Sequence, residues 1–140
     1  MSLWRNSHTI YGEAIANDPL NYIARQWLAD TLGLEGRYRE ALVQYEEALR
    51  EHKYYFLVEV NCARLYLQTG DEDAAIRHYS AAIRLRPELA GPYKELGDIL
   101  LTQGNLADAL INYKKAQELQ YSDAQRIKEL VMSVESALHR

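Results

Sequence analysis

Four histidines, one cysteine and 20 aspartates and glutamates are the side chains in this 140-residue sequence whose types could carry acid-base, nucleophilic or metal chemistry. Such chemistry needs them at short, structured spacings, because a ligand set or a nucleophile and its base must converge within a few ångströms. His8, His52, His78 and His139 lie far apart and in no ligand spacing, so a surface role is the reading they favour. Cys62 stands alone, which excludes an internal disulfide and a multi-cysteine cluster. It falls in an apolar column described below, where a thiol acts as a small buried residue and not as a nucleophile. No Gly-x-Ser-x-Gly, His-Glu-x-x-His, phosphate loop or Cys-x-x-Cys occurs. The carboxylate runs Glu46-Glu47 and Asp71-Glu72-Asp73 fall on predicted outer helix faces or turns. There Glu46 with Arg50, and Asp73 with Arg77, make i,i+4 pairs worth about 0.2 to 0.5 kcal/mol. No catalytic residue, metal ligand or cofactor is predicted.

Composition narrows the classes further. A chain of this length buries one core, so a single domain over 1–140 is expected. With 48% hydrophobic and 26% charged residues it should fold. A net charge of -4, from 16 Lys+Arg against 20 Asp+Glu, does not supply the basic surface that neutralises phosphates, so nucleic acid is not a predicted partner. No apolar run approaches the roughly 20 residues that span a bilayer and no secretory leader opens the chain, so the sequence reads as soluble and cytoplasmic. Only three prolines and seven glycines interrupt it, which favours helices joined by short turns.

The elements that must position any site follow from a period. Ala41, Ala75 and Ala109 are 34 residues apart; so are Tyr11, Tyr45, Tyr79 and Tyr113, the alanines at 14, 48, 82 and 116, and the glycines at 36, 70 and 104. Within segments such as Tyr38 to Arg50 and Leu106 to Leu119, Ala, Tyr and Ala stand four and three residues apart, one stripe of a 3.6-residue helix. Alanines let helix axes approach and the tyrosine fills the wider gap. A second helix type precedes each of these: Leu28-Ala29-x-x-Leu32, Cys62-Ala63-x-x-Tyr66, Leu96-Gly97-x-x-Leu100 and Leu130-Val131-x-x-Val134. The glycines fall between the two types, where a left-handed residue ends a helix, and Asp71 and Asn105 follow as N-caps.

With Tyr22 as position 1, this spacing resembles the tetratricopeptide-repeat family, whose 34-residue pattern runs W-x2-L-G-x2-Y, then A-x3-F, then P. Leu96-Gly97-x-x-Leu100, Ala109-x3-Tyr113, Ala116 and the closing prolines Pro19 and Pro87 carry the match. The resemblance implies an all-α, right-handed superhelical solenoid of antiparallel helix pairs. It comprises a half repeat (1–21, second helix only), three complete repeats (22–55, 56–89 and 90–123) and a capping helix (124–140). Position 4, tryptophan in the family, reads Arg25, Glu59, Tyr93 and Ile127, so the first two complete repeats should pack less tightly there. Lys53 and Tyr121 replace the closing proline. The turn at Glu51 to Tyr55 is therefore poorly signalled, and a continuous helix through it, opening the way to domain swapping, is the lesser alternative. At the C-terminal end, Ser122 and Gln125 form a capping-box pattern before a helix over 123–138. At the N-terminal end the half repeat leaves Trp4 and Ile10 on an unpartnered face, either a frayed cap or an oligomer edge, with a homodimer as one candidate.

The resemblance also places positions 2, 5, 6, 9, 12 and 13 of each first helix on a concave surface. The residues so marked include Ile23, Gln26, Trp27, Asp30 and Leu34, then Leu57, Val60, Asn61, Arg64 and Leu67, then Lys94, Glu95, Asp98 and Leu101. Trp27 beside Ile23, Leu57 and Val60 would make a hot-spot pocket for an apolar side chain of a bound segment; the alternative is that it packs on a neighbouring helix. Position 9 alternates Asp30, Arg64, Asp98, either ligand contacts or a mutually neutralising ladder. Some members of the family grip the C-terminal carboxylate of heat-shock chaperones with lysine, asparagine and arginine. The matching positions here are Gln26, Asp30, Asn61, Gly91 and Glu95, of which only Asn61 fits. The function implied is a scaffold or adaptor binding a peptide segment of a partner protein. The alternatives are an oligomerising module or a regulatory segment of a larger protein or complex.

Overall fold

The computed structural model describes residues 3–140, with side chains from Asn6 onward. Among these residues all regular structure is helical: α1 (Leu3–Asn17), α2 (Tyr22–Leu34), α3 (Tyr38–Glu51), α4 (Phe56–Thr69), α5 (Glu72–Leu85), α6 (Ala90–Thr102), α7 (Leu106–Glu118) and α8 (Ala124–Leu138). They fall into two compact units, residues 1–75 and 76–140. In the first, α1 packs on α2, α2 on α3 and α3 on α4, around Ala29, Leu32, Ala41, Tyr45, Val58 and Cys62. In the second, α6 packs on α7 and α7 on α8, around Ala109, Tyr113, Ala116, Ile127, Val131 and Val134. The stripe of small, large and small residues forms these cores, with Ala41, Ala48, Ala109 and Ala116 fully buried beside Tyr45 and Tyr113.

The turns repeat as closely as the helices. Gly36, Gly70 and Gly104 take φ of 78°, 85° and 77°, a region that costs little only for glycine. The next amide in each case reaches back five residues: Arg37 to the Leu32 carbonyl, Asp71 to Tyr66 and Asn105 to Leu100, all at 2.9 Å. A fourth copy follows α7, where Tyr121 N bonds to Ala116 O at 3.0 Å, but its left-handed residue is Gln120, with φ 57°. Asp71 and Asn105 cap the following helices through the amides of Ala74 (2.9 Å) and Asp108 (3.3 Å). The Ser122/Gln125 capping box does not form. Because α8 begins at Ala124, the cap is Asp123, which accepts from Arg126 N at 2.9 Å, while Gln125 donates to Glu129 at 2.8 Å. A carboxylate at the positive end of the helix is the better cap.

The expected turn forms at 52–55, so the lesser alternative, a continuous helix from α3 into α4, is not adopted. Aromatic stacking replaces the missing proline: Tyr22 lies 4.8 Å from His52 and 5.6 Å, edge-on, from Tyr55, and the Tyr55 hydroxyl donates to Gln26 Oε1. Position 4 is not uniformly loose either. Arg25 reaches the Pro19 carbonyl at 3.0 Å and Gln44 Oε1 at 3.1 Å, and Tyr93 in the equivalent place donates to the Pro87 carbonyl at 3.1 Å. Where the closing proline is kept, the position-4 side chain ties it down; where Lys53 replaces the proline, the position 4 that follows is Glu59, whose carboxylate has no N–H to offer a carbonyl.

Candidate peptide-binding face

On α2 the offsets of four, three and four residues put Ile23, Trp27, Asp30 and Leu34 on one stripe. The same offsets on α4 align Leu57, Asn61 and Arg64. Core-facing positions of these helices are closed, yet Ile23, Trp27 and Leu57 keep 41%, 50% and 46% of their surface exposed. Isolated exposed apolar residues need no explanation, but three in register across two neighbouring helices form a patch. Trp27 packs on a neighbouring helix and is still half open. Its ring stands 5.6 Å from Tyr11 of α1, tilted by 49°, while half of the side chain remains uncovered.

Two predicted members of the face are withdrawn from it. Gln26 and Val60 are buried; Gln26 is turned to the Tyr55 hydroxyl and Val60 packs inward, so neither is presented to a ligand. The sequence pattern missed this because a polar residue one turn from the stripe reads as exposed until its hydrogen-bond partner is known.

The charge ladder is also corrected. Asp30 accepts the Tyr45 hydroxyl and, at 3.3 Å, the Asn61 side-chain amide; Arg64 is exposed and makes no ion pair with Asp30. Fifteen residues separate Asp30 from Tyr45, as they do Asp98 from Tyr113, which donates at 2.8 Å. In the first and third complete repeats the column tyrosine therefore anchors position 9. Burial, and then the Asp30 carboxylate, push the Tyr45 phenol above its ordinary range, and burial followed by Asp98 does the same to Tyr113, so both hydroxyls stay donors. In α6, Lys94 and Asp98 are joined to each other at 2.6 Å, with Glu95 at 3.8 Å from the same ammonium. Burial opposes the Lys94 charge, but Asp98 and Glu95 outweigh it.

Cys62 is fully buried and its thiol is pushed up by burial, then by Glu46 and Glu59, the reverse of what a nucleophile needs. His8 meets Glu35 at 3.0 Å beside a cleft of about 300 Å³, with Arg37 3.2 Å from Glu35 and 2.6 Å from Glu40. On the second unit a cleft of about 540 Å³ is lined by Tyr93, Ile111 and Lys114, among others, with Lys114 paired to Glu135 at 2.7 Å. Ile10 of the proposed oligomer edge is exposed, and the side chain of Trp4 lies outside the described residues. Among the described residues no helix is long and apolar enough to cross a membrane.

Models of the tetratricopeptide repeat match residues 2–55 and 93–123, and a model described as TPR repeat matches 63–104. The chain belongs to the tetratricopeptide-repeat family. Solved structures share its fold at low identity. A crystal structure of MamA is 17% identical with a TM-score of 0.84, covering 99% of this chain and 86% of that one. The first TPR of Spaghetti (RPAP3), bound to the HSP90 peptide SRMEEVD, is 18% identical, TM-score 0.75, with 85% of this chain and 94% of that one covered. The Yersinia enterocolitica type III secretion chaperone SycD, in complex with a peptide of the translocator YopD, is 19% identical, TM-score 0.75, with 81% and 91% covered.

Proposed function

We propose that this TPR chain is a non-catalytic adaptor that holds a segment of another protein against the α2–α4 face. The observation that carries the reading is the exposure of Trp27, Ile23 and Leu57 in register, with Leu34 at the end of α2 open as well, on helices whose core positions Ala29, Leu32, Val58 and Cys62 are closed. A preformed apolar patch binds a segment without an ordering cost of its own, and a half-exposed tryptophan is the side chain most often at the centre of such contacts. The RPAP3 TPR and the chaperone SycD, which share this fold, hold peptides in their complexes, which supports the class of ligand. An acidic tail such as SRMEEVD does not suit this face, because Asp30 repels it and the Asn61 amide already serves Asp30 and the Tyr45 hydroxyl at 3.3 Å. Selection of a phage-displayed random peptide library on the wild-type protein, followed by affinity measurement on Trp27→Ala, tests the proposal. Loss of a hot-spot residue costs at least about 2 kcal/mol, roughly 30-fold in affinity. A Trp27→Ala protein of unchanged helicity that binds the selected peptides as tightly as wild type would overturn it.

A further inference from the structure

The two acidic members of the position-9 column, Asp30 in the first complete repeat and Asp98 in the third, are built alike and finished differently. Each carboxylate takes the hydroxyl of its column tyrosine on Oδ1, Tyr45 for Asp30 and Tyr113 for Asp98. At Asp98 the second oxygen, Oδ2, receives the Lys94 ammonium at 2.6 Å, one helical turn back at position 5. At Asp30 the position-5 residue is Gln26, which carries no charge and is committed to the Tyr55 hydroxyl. No lysine, arginine or histidine among the described residues lies within ion-pair distance of Asp30, and its Oδ2 meets no donor; Asn61 reaches Oδ1, at 3.3 Å. The half-buried carboxylate thus has one oxygen fixed by two donors and the other open, at a place where the same architecture elsewhere in the chain holds an ammonium.

We propose that the Asp30 carboxylate, with the exposed ring of Trp27 one turn before it, is the seat of a lysine or arginine side chain of the bound segment. This deepens the adaptor reading and rests on it. The incoming cation takes at Asp30 the place that Lys94 takes at Asp98, with a charge-assisted hydrogen bond to Oδ2. The aliphatic stem of a lysine or arginine lies along the Trp27 face, where its cationic end also meets the ring quadrupole. Ile23 and Leu57 then receive an apolar residue next to the cation. Arg64, the next residue of the α4 stripe, is exposed and beyond pair distance, so solvent and salt screen its opposition more than they weaken a direct ion pair. The geometry selects a segment with a basic residue beside an apolar one.

Peptides selected from a phage-displayed random 12-residue library on wild-type protein, then synthesised, provide the probe. Each lysine or arginine is replaced singly by norleucine, and both forms are titrated against wild type, Asp30→Asn and Trp27→Ala by isothermal calorimetry. Asp30→Asn keeps the Oδ1 acceptor for Tyr45 and Asn61 and removes the charge. The expected results are enrichment of lysine or arginine beside an apolar residue, and one basic position whose norleucine replacement costs about tenfold on wild type but less than twofold on Asp30→Asn. Gln26→Lys, which supplies the internal ammonium found in the third repeat, should weaken the basic peptides similarly and keeps the proposal testable if Asp30→Asn fails to fold. Selected peptides without basic enrichment, or a norleucine penalty equal in wild type and Asp30→Asn, overturn the cation seat. If Trp27→Ala still abolishes binding in that case, the adaptor reading stands and only this inference falls; if Trp27→Ala binds normally, both fall.

Discussion

Gly97→Ala should destabilise the protein even though alanine is the better helix former. A Cβ built on Gly97 lies 2.6 Å from Tyr113 Cε1 and 2.8 Å from Cδ1, where carbon atoms in contact need about 3.5 to 4.0 Å. The ring must therefore move by roughly 1 Å, yet Tyr113 is fully buried and its hydroxyl is bonded to Asp98 at 2.8 Å. Overpacking a closed core costs about 1 to 3 kcal/mol, and two ring atoms inside 3.0 Å place this case in the upper half. The gain in helix propensity returns about 1 kcal/mol. A net loss of roughly 1 to 2 kcal/mol remains, which lowers the urea midpoint by about 0.5 to 1 M for a slope near 2 kcal/mol/M. The controls are Gly12→Ala, where no atom lies within 4 Å, and Gly33→Ala, where the nearest is Leu65 Cδ2 at 3.9 Å. Both should hold or raise the midpoint. A Gly97→Ala protein as stable as wild type would refute the reasoning, because it would mean that the helix α6–α7 approach is not set by this glycine. Pairing Gly97→Ala with Tyr113→Leu should recover part of the loss, since the smaller side chain gives way.

Gln120→Gly should stabilise by about 1 kcal/mol, because an L-residue in the left-handed region forgoes that much while glycine does not; an unchanged or lower thermal midpoint would count against the strain assigned to Gln120. Cys62 supplies a pH dependence: its thiol is pushed up in the folded state by burial and by Glu46 and Glu59, while in the unfolded chain it ionises near about pH 8.5. The folded state thus holds the proton longer, so this contribution to stability is complete below about pH 8.5 and is lost as pH rises past it. The urea midpoint should fall between pH 7.5 and 9.5 in wild type and fall less in Cys62→Ala; parallel pH profiles for the two proteins would exclude the thiol as the cause.

How much of this was legible in the sequence depends on how far apart the interacting groups are along the chain and whether the interaction recurs. Ala41, Tyr45 and Ala48 recur at 34 residues with one task each, so their columns are visible in the residues alone, as are the left-handed glycines and the caps Asp71 and Asn105. The hydroxyl function of the tyrosine column was not visible, because tyrosine and phenylalanine fill the same gap and only the position of Asp30 or Asp98 fifteen residues earlier separates them. Arg25 looked like a lost tryptophan, since its bond to the Pro19 carbonyl involves a backbone atom that sequence does not display. The 52–55 turn held no glycine or proline to signal it, and its aromatic support from Tyr22 comes from thirty residues upstream. Ser122 and Asp123 both have capping chemistry, and one residue of helix register chose between them.

The same logic bears on where function sits in a repeat chain. A column that repeats is explained by packing, since each repeat must meet its neighbour in the same way. Function is then to be sought where one repeat departs from a column that another keeps. Position 9 is such a place: Asp98 is neutralised by Lys94, Arg64 inverts the charge, and Asp30 keeps the carboxylate without the lysine. Position 6 is another, with Trp27 half exposed where the later repeats carry Asn61 and Glu95. Both departures fall within one turn of α2, beside Ile23. Neither improves the core, because each leaves a side chain open that a paired or smaller residue would close. Two such costs at one spot are what the proposed ligand, bringing an apolar surface and a positive charge together, would offset.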